Sequence, residues 1–193
     1  MASIAKDEAL AARSTLPSHL RVLADAFPRT GWEGHVNFDD LTRFWLDRHL
    51  MFRDLMTRLQ AENQAMQQGD MDPEQFVMRT TRLTGFFLNQ LHGHHTIEDQ
   101  HYFPKLITMD ARLAHGFDLL DADHHTLDAQ IQDLASASDV MLKQVRAGAD
   151  RSAASPVHDH LTAFAGFLNR HLEDEEDLVV PLILQYGGPD IGL

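Results

Sequence analysis

Two stretches of the chain, FLNQLHGHHTIEDQHYFP (87–104) and FAGFLNRHLEDEEDLVVP (164–181), align on one another without a gap. Identical residues fall at Phe87/Phe164, Leu91/Leu168, His94/His171, Glu98/Glu175 and Pro104/Pro181. The first four pairs stand at offsets 0, +4, +7 and +11, which is one face of an α-helix. Each stretch therefore sets a histidine, and a glutamate one turn later, on a stripe otherwise made of Phe and Leu. An ionised glutamate on such a stripe is costly unless it is paired or binds a cation. Two of them, each one turn from a histidine, are hard to explain as packing.

Working outward, the whole chain from Asn37 reads as helix. A first segment from Asp39 or Asp40 to about Gly69 carries Leu41, Trp45, Phe52, Met56 and Leu59 on one stripe. A second opens with Asp72-Pro73-Glu74, a cap and proline start, carries Phe76, Leu83, Phe87 and Leu91, and ends around Ile107. A third runs from about Ala111 to Ala147, with Leu113, Phe117, Leu120, Leu127, Ile131 and Leu134 inward, and Gly148 closes it. A fourth opens at Ser155-Pro156, carries Leu161, Phe164, Leu168, Leu178 and Leu182, and ends before Gly187-Gly188-Pro189. Four long helices joined by short loops predict an all-α, up-down-up-down four-helix bundle over residues 37–193. Residues 1–36 form an N-terminal extension, with a short helix after Leu16-Pro17-Ser18 through Phe27 and a loop at Pro28, Gly31 and Gly34.

The other two helices supply matching histidines. His49 follows Trp45 by four and precedes Phe52 by three; His124 follows Leu120 by four and precedes Leu127 by three. Both point inward. Counted from the helix ends, at about 1.5 Å per residue, His49, His94, His124 and His171 fall in one layer of an up-down bundle. Four inward imidazoles and two inward carboxylates at one level read as a two-metal site. A nitrogen and oxygen set without sulfur suits iron, manganese or zinc, and carboxylates spanning two metals favour iron or manganese.

Composition narrows the field in the same direction. The 193 residues include no cysteine, which removes disulfides, thiolate metal sites and thiol nucleophiles. A net charge of −13 argues against nucleic acid or an anionic membrane as partner. No apolar run approaches the roughly 18 residues of a membrane helix, and the first fifteen residues lack a signal-peptide core. A soluble cytoplasmic protein is the expectation. Phosphate-binding glycine loops, the nucleophile elbow and H-E-x-x-H are all missing, so the 13 histidines and the carboxylates are the chemistry on offer.

These residues resemble the hemerythrin-like (HHE cation-binding) family. The match lies in His49 on the first helix, His94-His95-Thr96-Ile97-Glu98 on the second, Asp123-His124-His125 on the third and His171-Leu172-Glu173-Asp174-Glu175 on the fourth. It covers about residues 39–186. The resemblance implies a four-helix bundle holding two non-haem irons joined by an oxygen bridge. It makes His49, His94, His124 and His171 terminal ligands, and Glu98 and Glu175 the carboxylates shared by the two irons. A recombinant sample could carry manganese or zinc. Oxygen carriers of the family place a second histidine four residues after the first on the third helix, where this chain has Asp128. The four-His, two-Glu set is closer to bacterial members linked to nitric-oxide stress and iron–sulfur repair, which carry a cysteine-bearing N-terminal domain that this chain lacks.

Several residues admit two readings. His95 is either an extra ligand or a surface histidine. His101, seven residues after His94, shares the inner face as a carboxylate partner or a satisfied buried histidine. Asp128 reads as a partner for a neighbouring side chain more often than as an extra ligand. His19, His35, His92, His115, His125 and His158 read as surface residues, and His160 as inward but three turns from His171. Trp45, Phe87, Leu91, Phe164 and Leu168 are core residues that would also line a dry pocket on the open side of a metal site. The cluster Glu173–Asp177 reads as a solvated face with one buried member. Two functions follow from the resemblance. The protein binds or senses oxygen, nitric oxide or iron, with no protein partner specified; or it is a di-iron enzyme acting on nitric oxide or peroxide, or donating iron for cluster repair.

Overall fold

A computed structural model describes residues 4–188, and all regular structure among them is helical. The extension contributes a 3₁₀ turn at Ser18–Leu20, a short helix α1 (Val22–Ala26) and a second 3₁₀ turn at Arg29–Gly31. The four long segments follow. Helix α2 spans Asp40–Gln68 and opens where the Asp39 carboxylate accepts from the Thr42 amide at 2.8 Å. Helix α3 spans Pro73–Ile97, capped by Asp72 through the Gln75 amide at 3.0 Å. Helix α5 (Ala114–Arg146) follows a 3₁₀ turn at Ala111–Leu113 capped by Asp110, and α6 (Ser155–Tyr186) follows one at Arg151–Ala154 capped by Asp150. Gly148, with φ 86°, supplies the left-handed residue after α5 that a side chain would resist.

The second segment departs from expectation in one turn. At Glu98–Tyr102 the helix widens to π geometry, the Phe103 amide donating to the Glu98 carbonyl, before the short α4 (Phe103–Leu106). An i→i−5 turn inserts a residue relative to α-helical spacing and rotates what it contains. The equivalent Pro181 sits inside an uninterrupted α6, so the repeated proline does not by itself announce the π turn.

The chain forms two compact units. One comprises the described residues up to Leu50, His94–Thr126 and the described residues from Leu168; the other comprises Met51–Gly93 and Leu127–Phe167. In the first, Leu16, Leu20 and Leu23 of the extension join Trp45, Phe103, Phe117, Leu120, Leu178 and Leu182 in one buried cluster. Gly116 lets α5 approach the Leu178 side chain, since a Cβ there would stand 2.8 Å from it. In the second, Phe87 packs edge-on against Phe52 and Phe164 at ring separations of 6.3 and 5.9 Å. The inward stripes read from the sequence are buried, with Leu41, Leu83 and Ile131 half-buried. No described helix is long and apolar enough to cross a membrane. Residues 1–3 and 189–193, including Pro189, lie outside the described residues.

Candidate metal centre

Within the first unit two groups of donors converge. His95, His124 and His171 form one, and His49, His94, Glu98 and Glu175 the other; in each, one donor atom per residue lies within 4.8 Å of the rest. Adjacent residues of a helix point about 100° apart. So His94 and His95 leave α3 towards different groups: His94 Nε2 lies 3.1 Å from His49 Nε2, and His95 stacks on His124 with ring centres 4.1 Å apart.

The two carboxylates connect the groups. Glu98 directs Oε1 to His94 Nε2 at 2.9 Å and Oε2 to His124 Nε2 at 3.6 Å. Glu175 directs Oε1 to His49 Nε2 at 3.6 Å and Oε2 to His171 Nε2 at 3.4 Å. Each glutamate thus presents one oxygen to each histidine group.

Polar atoms are stranded here to an unusual degree. Both nitrogens of His95, Nε2 of His124 and of His171, both oxygens of Glu98 and Oε2 of Glu175 are buried without a well-aligned hydrogen bond. Each such atom in an apolar interior costs about 1–3 kcal/mol. Cations held by the two groups would satisfy all of these atoms except one nitrogen of His95, since an imidazole turns a single ring nitrogen to a given ion, so the donor set fits a metal. Electrostatics agree. Burial, together with the facing Glu175, pushes the Glu98 carboxyl well above its usual range. Burial pushes His94 down to about 3 and His95 well below the ordinary histidine value, which leaves both as neutral donors.

The opposite ring nitrogens are held. His49 Nδ1 donates to Glu176 at 3.0 Å, His124 Nδ1 to Asp99 at 2.7 Å, and His171 Nδ1 lies 3.4 Å from Asp123. A carboxylate on Nδ1 fixes the tautomer and aims Nε2 at the centre. The Trp45 indole donates to Glu175 Oε1 at 2.6 Å. Burial opposes the charge on His171, but Asp123 and Glu175 raise its pKa to about 9.

Arginines of the extension hold these carboxylates in turn. Arg13 makes a two-pronged pair with Asp123 and donates through Nε to Asp174 at 2.7 Å, with all three side chains at least 97% buried. Arg29 pairs with Glu176 and Asp177. The extension therefore reaches both histidine groups at one remove, through Asp123 to His171 and through Glu176 to His49.

A hemerythrin HHE cation-binding domain model matches residues 40–183. The chain belongs to this family. No curated protein and no solved structure matches it. The match begins at α2, so Arg13 and Arg29 lie outside the matched residues.

Other expected residues fall as follows. His95 is buried. His101 is exposed, because the π turn rotates it off the inner face. Asp128 belongs to the second unit, half-buried and 3.8 Å from His92. Trp45 and Leu168 are buried in the unit that holds the site, and Phe87, Leu91 and Phe164 are buried in the other. His160 is exposed rather than inward. In the acidic cluster Asp174, Glu175 and Glu176 are all buried, not one of five, because arginines from the extension reach two of them. Asp99, Asp123, Asp174, Glu176, Arg13 and Arg29 carry no signal on the inner stripe. Asp99, Asp123, Asp174 and Glu176 each adjoin a ligand candidate in sequence, which is the one hint available.

Proposed function

We propose that the chain is a di-iron hemerythrin-like protein that binds or senses a small diatomic ligand, oxygen or nitric oxide, or iron itself. The observation that carries the reading is that Glu98 and Glu175 each offer one oxygen to each histidine group. His95, His124 and His171 would hold one ion and His49 and His94 the other, and Glu98 and Glu175 would each offer an oxygen to both. On this reading the four long helices run up-down-up-down as one bundle, with the residues before Asn37 as an extension. Iron in such a set supplies reversible redox chemistry and open positions for a small ligand. The chain's own residues supply the rest: carboxylates on Nδ1 orient the imidazoles, and Trp45 holds Glu175.

Two six-coordinate ions would offer about twelve positions, of which five histidines, two shared carboxylates and the oxygen bridge that the family resemblance implies would take about eleven. Few remain for substrate. His101, the acid–base candidate a turnover reaction would use, is exposed. Both points favour binding over catalysis. The protein is loaded anaerobically with ferrous iron and mixed with oxygen. A visible absorption band that vanishes on deoxygenation supports the reading. Irreversible oxidation with sustained consumption of peroxide or nitric oxide would establish the alternative, a di-iron enzyme.

A further inference from the structure

We propose that Glu8, His19 and His115 form a separate site for a divalent transition ion of the zinc class, which fastens the N-terminal extension to α5. Their donor atoms lie within 4.8 Å of one another. Glu8 sends Oε2 to His115 Nε2 at 3.0 Å and Oε1 to His19 Nε2 at 3.8 Å, so one carboxylate faces two imidazoles. The two rings stack with centres 5.7 Å apart and planes 22° from parallel.

Two imidazoles and a carboxylate are a common three-ligand set for zinc, with water completing the tetrahedron. Calcium and magnesium, which prefer oxygen donors, match it poorly. His19 is 56% exposed on its side chain, giving an ion a path in and a place for that water, while Glu8 and His115 are more enclosed. The Glu8 carboxyl is held below its usual range, chiefly by the His115 hydrogen bond, so it is ionised at neutral pH. The net charge of −13 raises the local concentration of cations.

The placement gives the site a consequence. Glu8 and His19 flank Arg13 in sequence, and the Glu8 carbonyl accepts from Arg13 Nη1 at 2.9 Å. An ion on Glu8, His19 and His115 therefore closes a loop around Arg13 and pins it where it pairs with Asp123 and Asp174. The metal centre of the HHE domain and this site share no residue.

The test uses the full chain, loaded with ferrous iron and desalted, then titrated with zinc by calorimetry while elemental analysis follows both metals. The expected result is one zinc ion per chain at micromolar affinity that His19→Ala and His115→Ala each abolish, with the iron content unchanged in both. The readout is the difference of one ion between the chain and its variants, so it holds whether or not iron loads as a pair. No such difference, or a zinc ion retained by both variants, means that Glu8, His19 and His115 form only a surface ion pair and overturns the proposal.

Discussion

Replacing Arg13 with alanine leaves Asp123 and Asp174 without the guanidinium that joins them across the extension, α5 and α6. Removing one partner of a buried pair costs about 3–5 kcal/mol, because the other charge stays behind uncompensated. Here the loss falls at the lower end, since Arg170 still donates to Asp174 at 2.5 Å and His171 still faces Asp123. For a chain of this size each kcal/mol moves Tm by about 2–4 °C, so metal-free Arg13→Ala melts about 6–12 °C lower. A second effect reaches the metal. Asp123 loses its anchor, His171 loses a fixed orientation, and such supporting partners are worth about 10–100-fold in metal affinity. Calorimetry of the metal-free chain and competition with a chelator measure the two separately. The double variant Arg13→Met with Asp123→Asn recovers part of the stability, because it removes a stranded charge as well as its partner. Metal-free Arg13→Ala melting within about 2 °C of the parent, with metal affinity unchanged, would refute the claim that the extension supports the site.

Glu98→Ala or Glu175→Ala each removes the oxygens that face both histidine groups, so bound iron falls below two per chain by elemental analysis; His115→Ala leaves that iron in place. Chelating the metal lowers Tm, because a ligand at a hundred times its Kd contributes about 2.7 kcal/mol, or roughly 5–11 °C here; equal melting with and without iron would count against a structural role for the ions. Asn63→Ala breaks a buried bond of 3.1 Å from Nδ2 to the Ala154 carbonyl and lowers stability by about 1–3 kcal/mol in urea titration, with metal content unaffected.

Periodicity made the helices and the two H-x-x-x-E faces legible, because a 3.6-residue repeat puts Phe87, Leu91, His94 and Glu98 in one row. The same logic could not divide His94 from His95. A stripe is broad enough to hold one of two neighbours, whereas the structure uses both, on different sides of α3. Nor could it find Asp99, Asp123 or Glu176, which sit one residue off the ligand row and act through the far nitrogen of an imidazole. Local sequence gave no sign of the π turn that exposes His101. Arg13 lies 110 residues from Asp123 and 161 from Asp174, and no local pattern reports a contact of that range. That is also why the acidic run in α6 reads as solvated until the extension is folded against it.

The most direct test of the central claim is iron content after anaerobic reconstitution, combined with X-ray absorption at the iron edge of the same sample. The account predicts two irons per chain, nitrogen and oxygen donors only, and a metal–metal distance of about 3.5–4 Å. Fewer than one iron per chain, or iron with no second metal within that distance, would contradict it.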